Sequence, residues 1–292
     1  MTILHIGAHK TASTHLQKTL EKNRPLLTEA GIALFGPAQL REAPFHITKM
    51  LRSEEKIAQG ALRPVLRRKM GSAERLVITE ENLIGGAHHP EHVETGRFYP
   101  RAIKRLKRLI KAFALKEIEL MLAVRDPCGF FTSAYSQALF GGRLVLFDDF
   151  LQGRDVAAMR WSELVQRLTT LPKVERVTVW SYEDYAQTLP EILTRMVGPT
   201  ADQLKAPTSV IHAGLSARAH AQFVTWVEEG RSEAPSELVK EAKALFPKSE
   251  TEPAYQPFPP ETLAESRRAY AADLAEIAQL HKVEIIGRAS PA

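Results

Sequence analysis

The chain has 292 residues, is 44% hydrophobic and 25% charged, and carries a formal charge of +5 at neutral pH. This excludes disordered and fibrous classes and leaves room for one large α/β domain with an appendage, or for two small domains. No stretch approaches the roughly 18 consecutive apolar residues of a membrane helix. The N-terminus enters a strand without a basic, apolar leader, and the single Cys128 excludes an internal disulfide. These features are read as those of a cytoplasmic protein. The mild positive excess suits an anionic ligand without implying nucleic acid.

Residues 2–6 are a short apolar run, and residues 7–13 are small and polar. A helical pattern starts at Thr14, with Leu16, Leu20 and Leu27 near one face. Strand, tight loop and helix N-terminus make an anion site, because first-turn N–H groups and the positive end of the helix dipole face the loop. Lys10 adds a positive charge, and Thr11, Ser13 and Thr14 add hydroxyl donors. Asn23 and Pro25 predict a helix restart closing at Gly31, and residues 32–35 a short strand. Residues 36–48 read as loop, and residues 53–70 as a basic helix with Ile57, Ala61, Val65 and Leu66 inward. A second strand over residues 76–79 ends in Glu80, Glu81 and Asn82, before an irregular loop with Gly85, Gly86, His88, His89 and Pro90.

Residues 101–113 form an amphipathic pattern with Ile103, Leu106, Leu109, Ile110 and Phe113 on one face. Residues 118–124 are the most apolar run, as a central parallel strand requires. Arg125, Asp126 and Pro127 stop it, and residues 130–140 resume as helix. A helix over 161–171, a strand over 177–182 and a helix over 189–197 follow. From Ser216 the pattern is almost wholly helical, broken at Pro235 and by residues 247–261, which hold five of the 18 prolines. Alternating strands and helices predict an α/β fold with a parallel sheet covered on both faces. Residues 1–200 read as its core and residues 201–292 as a helical C-terminal extension packed on it.

A nucleotide P-loop reads G-x-x-x-x-G-K-[ST]. Here Gly7 lies only three residues before Lys10, and lysine precedes Thr11, Ala12, Ser13 and Thr14. This order resembles the 5′-phosphosulfate loop, K-[ST]-G-T-T, of the sulfotransferases that use 3′-phosphoadenosine 5′-phosphosulfate (PAPS). The resemblance implies a P-loop-type fold, Lys10 on the bridging oxygen of the phosphosulfate, and residues 11–14 around the 5′-phosphate. Ala12 stands where the family has glycine; a positive φ there costs alanine about 1 kcal/mol or more. The family's second motif is an arginine at a strand end and a serine eight residues on, both reaching the 3′-phosphate. Arg125 and Ser133 have that spacing, within R-D-P and S-x-Y patterns. Tyr182, Glu183 and Asp184 resemble the family's later Y-E-D, and residues 212–216 are a candidate closing loop. The motifs most resemble the bacterial and heparan-sulfate-type branch, over about residues 2–200.

The family takes the acceptor proton with a glutamate or histidine near the end of the second core strand. Alternation along a strand lets only one of Glu80 and Glu81 face the site. Glu81 is favoured, because E-N fits the family pattern, with Glu80 or a nearby histidine as alternatives. His88, His89 and His92 with Glu91 could present metal ligands but lack a clear third partner. The resemblance implies catalysis with PAPS as co-substrate, PAP as product and no metal. Its acceptor would offer a hydroxyl or amine, on a carbohydrate or small metabolite. An NTP-dependent kinase with an atypical loop and a non-catalytic nucleotide-binding protein are the alternatives. Basic residues over 63–69 and 101–111 read as a solvated face, and Cys128 as a buried small side chain, reactive only if exposed beside Arg125.

Overall fold

The computed structural model describes residues 1–86, 95–207 and 214–287. The strands are β1 (Thr2–His5), β2 (Ile32–Phe35), β3 (Arg75–Thr79), β4 (Ile118–Val124), β5 (Val174–Ser181) and β6 (Val283–Ile285). They form one sheet of order β2-β3-β1-β4-β5-β6, with every pair parallel. From β1 the chain goes first to the edge strand β2, returns to β3 between β2 and β1, and then crosses to β1's other side for β4. The reversal puts a crevice at the carboxyl end of β1, where ligands bind in open α/β sheets.

The helices are α1 (Ser13–Lys22), α2 (Arg24–Glu29), α3 (Pro37–Arg41), α4 (Ile47–Arg52), α5 (Arg63–Met70), α6 (Ala102–Phe113) and α7 (Pro127–Phe140). They continue as α8 (Phe147–Leu151), α9 (Trp161–Thr169), α10 (Tyr185–Val197), α11 (Ala217–Glu228), α12 (Pro235–Leu245) and α13 (Pro260–Ile277). All seven residues of β4 are buried, so both its faces are covered, which explains its unbroken apolar run. Ile3, Val77, Met121 and Trp180 join Leu16, Leu20 and Leu27 on one face. Leu4, Ile78, Leu120 and Leu122 face the larger core with α6, α7 and α9.

Several elements differ from the sequence expectation. Residues 36–48 are not simply loop: they contain α3 and the start of α4. Helix α5 begins only at Arg63, not at Ser53. Gly60 at φ +71° breaks the helical path before it, and Pro64 suits the first turn, where its missing N–H would have no helical partner. Helix α10 starts at Tyr185 and runs through Pro190. The C-terminal third supplies β6 as well as helices, and β6 pairs with β5 from Val177↔Val283 to Val179↔Ile285. It is also bonded to the core through α13: Asp273 accepts from the N–H groups of Trp161 (2.6 Å) and Ser162 (3.1 Å) at the start of α9. This supplies from a distant helix the cap that α9 lacks locally.

Candidate active site

The crevice is a cavity of about 810 Å³. Loops at the carboxyl ends of four strands meet there: Lys10 after β1, Glu81 after β3, Arg125 after β4, and Tyr182 with Glu183 after β5. Helices α1 and α7 add Ser13, Thr14 and Ser133.

In the first loop, the N–H groups of residues 10–14 have no backbone acceptor among the described residues. Ala12 is the N-cap of α1 and offers no side-chain cap, which leaves first-turn donors available to an anion. Its φ of 63° and ψ of 18° are left-handed, so the conditional cost of alanine at this position applies. Two hydroxyls expected as ligand donors are already used: Thr11 Oγ1 and Ser13 Oγ donate to the Ala8 carbonyl at 2.7 and 2.8 Å. Ser13 still lines the cavity, whereas Thr11 lies beneath the loop and does not.

Arg125 is held against the same loop. Its Nη1 donates to the Lys10 carbonyl at 2.8 Å, and its guanidinium lies 4.3 Å from the centre of the Tyr182 ring. Gly129 provides the necessary room, since a Cβ there would lie 3.2 Å from Arg125 Nε. Burial, reinforced by the Arg125 charge, pushes the Lys10 ammonium below its ordinary pKa. Burial likewise lowers that of Arg125, against the attraction of Tyr182, Glu183 and Asp126. Among the described residues, no carboxylate lies within ion-pair distance of either cation. Two crowded cations without such a partner form a site that an anion stabilises.

The two glutamates after β3 have separate environments. Glu80 is fully buried and takes both Arg41 Nε (2.7 Å) and Nη2 (2.8 Å), together with the backbone and side-chain N–H groups of Asn82. It closes the turn and does not line the cavity. Glu81 does line it, accepting from Gln17 Nε2 at 2.6 Å and Arg41 Nη2 at 3.0 Å. Burial raises the Glu81 pKa, but the Gln17 hydrogen bond, His9 and Arg41 outweigh it, and the net shift is downward. Glu81 is therefore held as the carboxylate, able to accept a proton.

His9 had drawn no attention in the sequence. It lines the cavity, pairing through Nδ1 with Tyr99 Oη (2.9 Å) and through Nε2 with Asn82 Oδ1 (3.3 Å). Tyr99 Oη also accepts the His9 N–H at 3.1 Å. Asn82 Oδ1 can only accept, so His9 Nε2 donates to it. His15, paired with Tyr185 at 2.9 Å, and Gln137 also line the cavity. The only signal for His9 was its place beside Lys10; its partners lie over 70 residues away.

Other candidates sort plainly. Cys128 is buried, and its thiol is pushed up to about 11, chiefly by burial, which makes it unreactive. The basic face of α6 is not simply solvated: Arg105 donates to the carbonyls of Asn82 and Leu83, and Arg108 to that of Met50. His88, His89, Glu91 and His92 lie outside the described residues, as do His212 and Ala213 of the candidate closing loop. Ser216 from that loop caps α11 through the Ala219 N–H. Among the described residues, no group of three or more His, Cys, Asp or Glu is placed to hold a metal. No helix among them is long and apolar enough to cross a membrane.

No family model matches the chain, and no curated protein matches it. Among solved structures, a sulfotransferase from Alicyclobacillus acidocaldarius is similar, with 15% identity and a TM-score of 0.42, over 85% of this chain and 96% of that one. Such an identity says nothing of substrate.

Proposed function

We propose that this protein is a PAPS-dependent sulfotransferase acting on a hydroxyl or amine acceptor. The observation that carries the reading is the meeting of Lys10 and Arg125 at one cavity, with the loop amides, with no carboxylate at ion-pair distance from either among the described residues, and with Glu81 lining the same cavity. The cavity thus suits a multiply charged anion. The resemblance of the K-T-A-S-T loop and of the Arg125–Ser133 spacing to the PAPS-sulfotransferase motifs supports reading its charged groups as a phosphosulfate and a 3′-phosphate.

PAPS, a substrate here, supplies an activated sulfuryl group. Transfer breaks the bond between sulfur and the 5′-phosphate oxygen and forms one between sulfur and the acceptor oxygen or nitrogen. Glu81 takes the acceptor proton. Lys10 and the amides of residues 11–14 offset the charge gathering on the departing phosphate, the kind of fixed stabilisation that lowers a group-transfer barrier most. Arg125 and Ser133 hold the 3′-phosphate.

Calorimetry with PAP, PAPS, ATP and GTP tests this. Binding of PAP and PAPS without Mg²⁺ is expected. Binding of ATP or GTP with Mg²⁺ and none of PAP or PAPS would replace the reading with an NTP-dependent kinase.

A further inference from the structure

A second concavity, of about 610 Å³, opens beside the first and is lined by Arg41, His46, Thr48, Lys49, Arg52 and Ser53. Among the described residues, no carboxylate lines it. Glu54, next in sequence, is turned to Lys104 on α6 at 2.5 Å. Among the described residues, Lys49 and Arg52 have no ion-pair partner. The two concavities are joined by one ion pair, since Arg41 lines the second and donates to Glu81, which lines the first. The same guanidinium is anchored on the buried Glu80 by two hydrogen bonds.

We infer that the acceptor carries an oxyanion, a carboxylate, sulfate or phosphate, which Arg41, Lys49 and Arg52 seat beside Glu81. This rests on the sulfotransferase reading, because it takes Glu81 as the base. An anion here lies on the side of Glu81 served by Arg41, separate from the Lys10–Arg125 end. Such an acceptor is oriented by its charge while its hydroxyl meets Glu81, so binding energy is spent on alignment. Neutral alcohols gain nothing from this surface.

The test uses hexagalacturonate and its fully methyl-esterified form, which carry the same ring hydroxyls and differ in charge. Calorimetry is run at low salt on the full-length protein saturated with PAP. The hexamer is expected to bind and the ester to fail. Lys49→Glu/Arg52→Glu should weaken hexamer binding at least about tenfold and leave PAP affinity unchanged. Arg67→Glu/Arg68→Glu, on exposed α5 positions, removes the same charge elsewhere and should weaken it less than about twofold. Equal weakening by the two pairs, equal binding of the ester, or no hexamer binding by the wild type overturns the inference. Failure of the wild type to bind PAP, read before any sugar is added, overturns the functional reading instead.

Discussion

Replacing Ala12 by glycine should stabilise this protein, against the usual effect of that change. Ala12 sits at φ 63° and ψ 18°, where an L-residue with a Cβ pays about 1–2 kcal/mol. Glycine pays no such penalty but loses about 0.5–1 kcal/mol through the greater freedom of its unfolded chain. The net expectation is a gain of about 0.5–1 kcal/mol, or roughly 1–4 °C in melting temperature for a chain of this size. Urea unfolding gives the free energy, and scanning calorimetry gives the shift. Ala221→Gly is the internal control. It lies on the exposed face of α11 and should lose about 1 kcal/mol. The same substitution would thus carry opposite signs at two sites. Destabilisation of comparable size at both would refute the assigned backbone strain.

Three further outcomes follow from the site and core. Glu81→Gln should reduce turnover by about 10²–10⁴ with PAP affinity nearly unchanged, whereas Glu80→Gln should cost about 2–3 kcal/mol of stability through its buried network; urea melts and rate assays separate the two, and the reverse pattern would exchange their roles. Arg125→Ala should weaken PAP by about tenfold or more and leave adenosine 5′-phosphosulfate little affected; equal calorimetric losses would show that the variant merely loosens the Lys10 loop. His5 is fully buried and held at about 4, chiefly by burial. Its unfolded form protonates first as pH falls below about 6.5, so stability is lost between there and about 4, by up to about 1.4 kcal/mol per pH unit. His5→Gln should flatten that part of a pH-dependent urea titration.

The sheet was largely legible because its strands announce themselves locally. The residues of β2 and β4 are short, apolar and bounded by turn formers, and burial on both faces removes any competing polar pattern. Strand β6 escaped notice because it is a three-residue edge strand, and its half-buried positions leave no such signature. Residues 53–62 misled because helical spacing of apolar side chains says nothing about Gly60 and Pro64, which decide where the chain can enter a helix. At the crevice, Lys10, Glu81, Arg125 and Ser133 could be singled out as chemistry-bearing groups at the ends of predicted elements. Which glutamate faces the cavity was decided by Arg41, some 40 residues upstream, and long-range pairing of that kind has no local trace. The hydroxyls of Thr11 and Ser13 show the opposite limit: residue type identified donors, but only the loop's curvature reveals that Ala8 already receives them.

The seating of α13 has a consequence for the order in which the molecule becomes complete. Ser266 donates to Asp126 Oδ2 at 2.8 Å, and Tyr270 to Glu183 Oε2 at 3.1 Å, while Glu183 accepts the Asp126 N–H. The residue after Arg125 is thus clamped by a helix made more than 130 residues later. On the ribosome, Arg125 can meet the Lys10 carbonyl and the Tyr182 ring once residue 182 has emerged, but Asp126 and Glu183 lack their two hydroxyl donors until Ser266 and Tyr270 have left the exit tunnel. A nascent chain halted at residue 259 should therefore hold Arg125 against the first loop while Asp126 and Glu183 still wait for Ser266 and Tyr270.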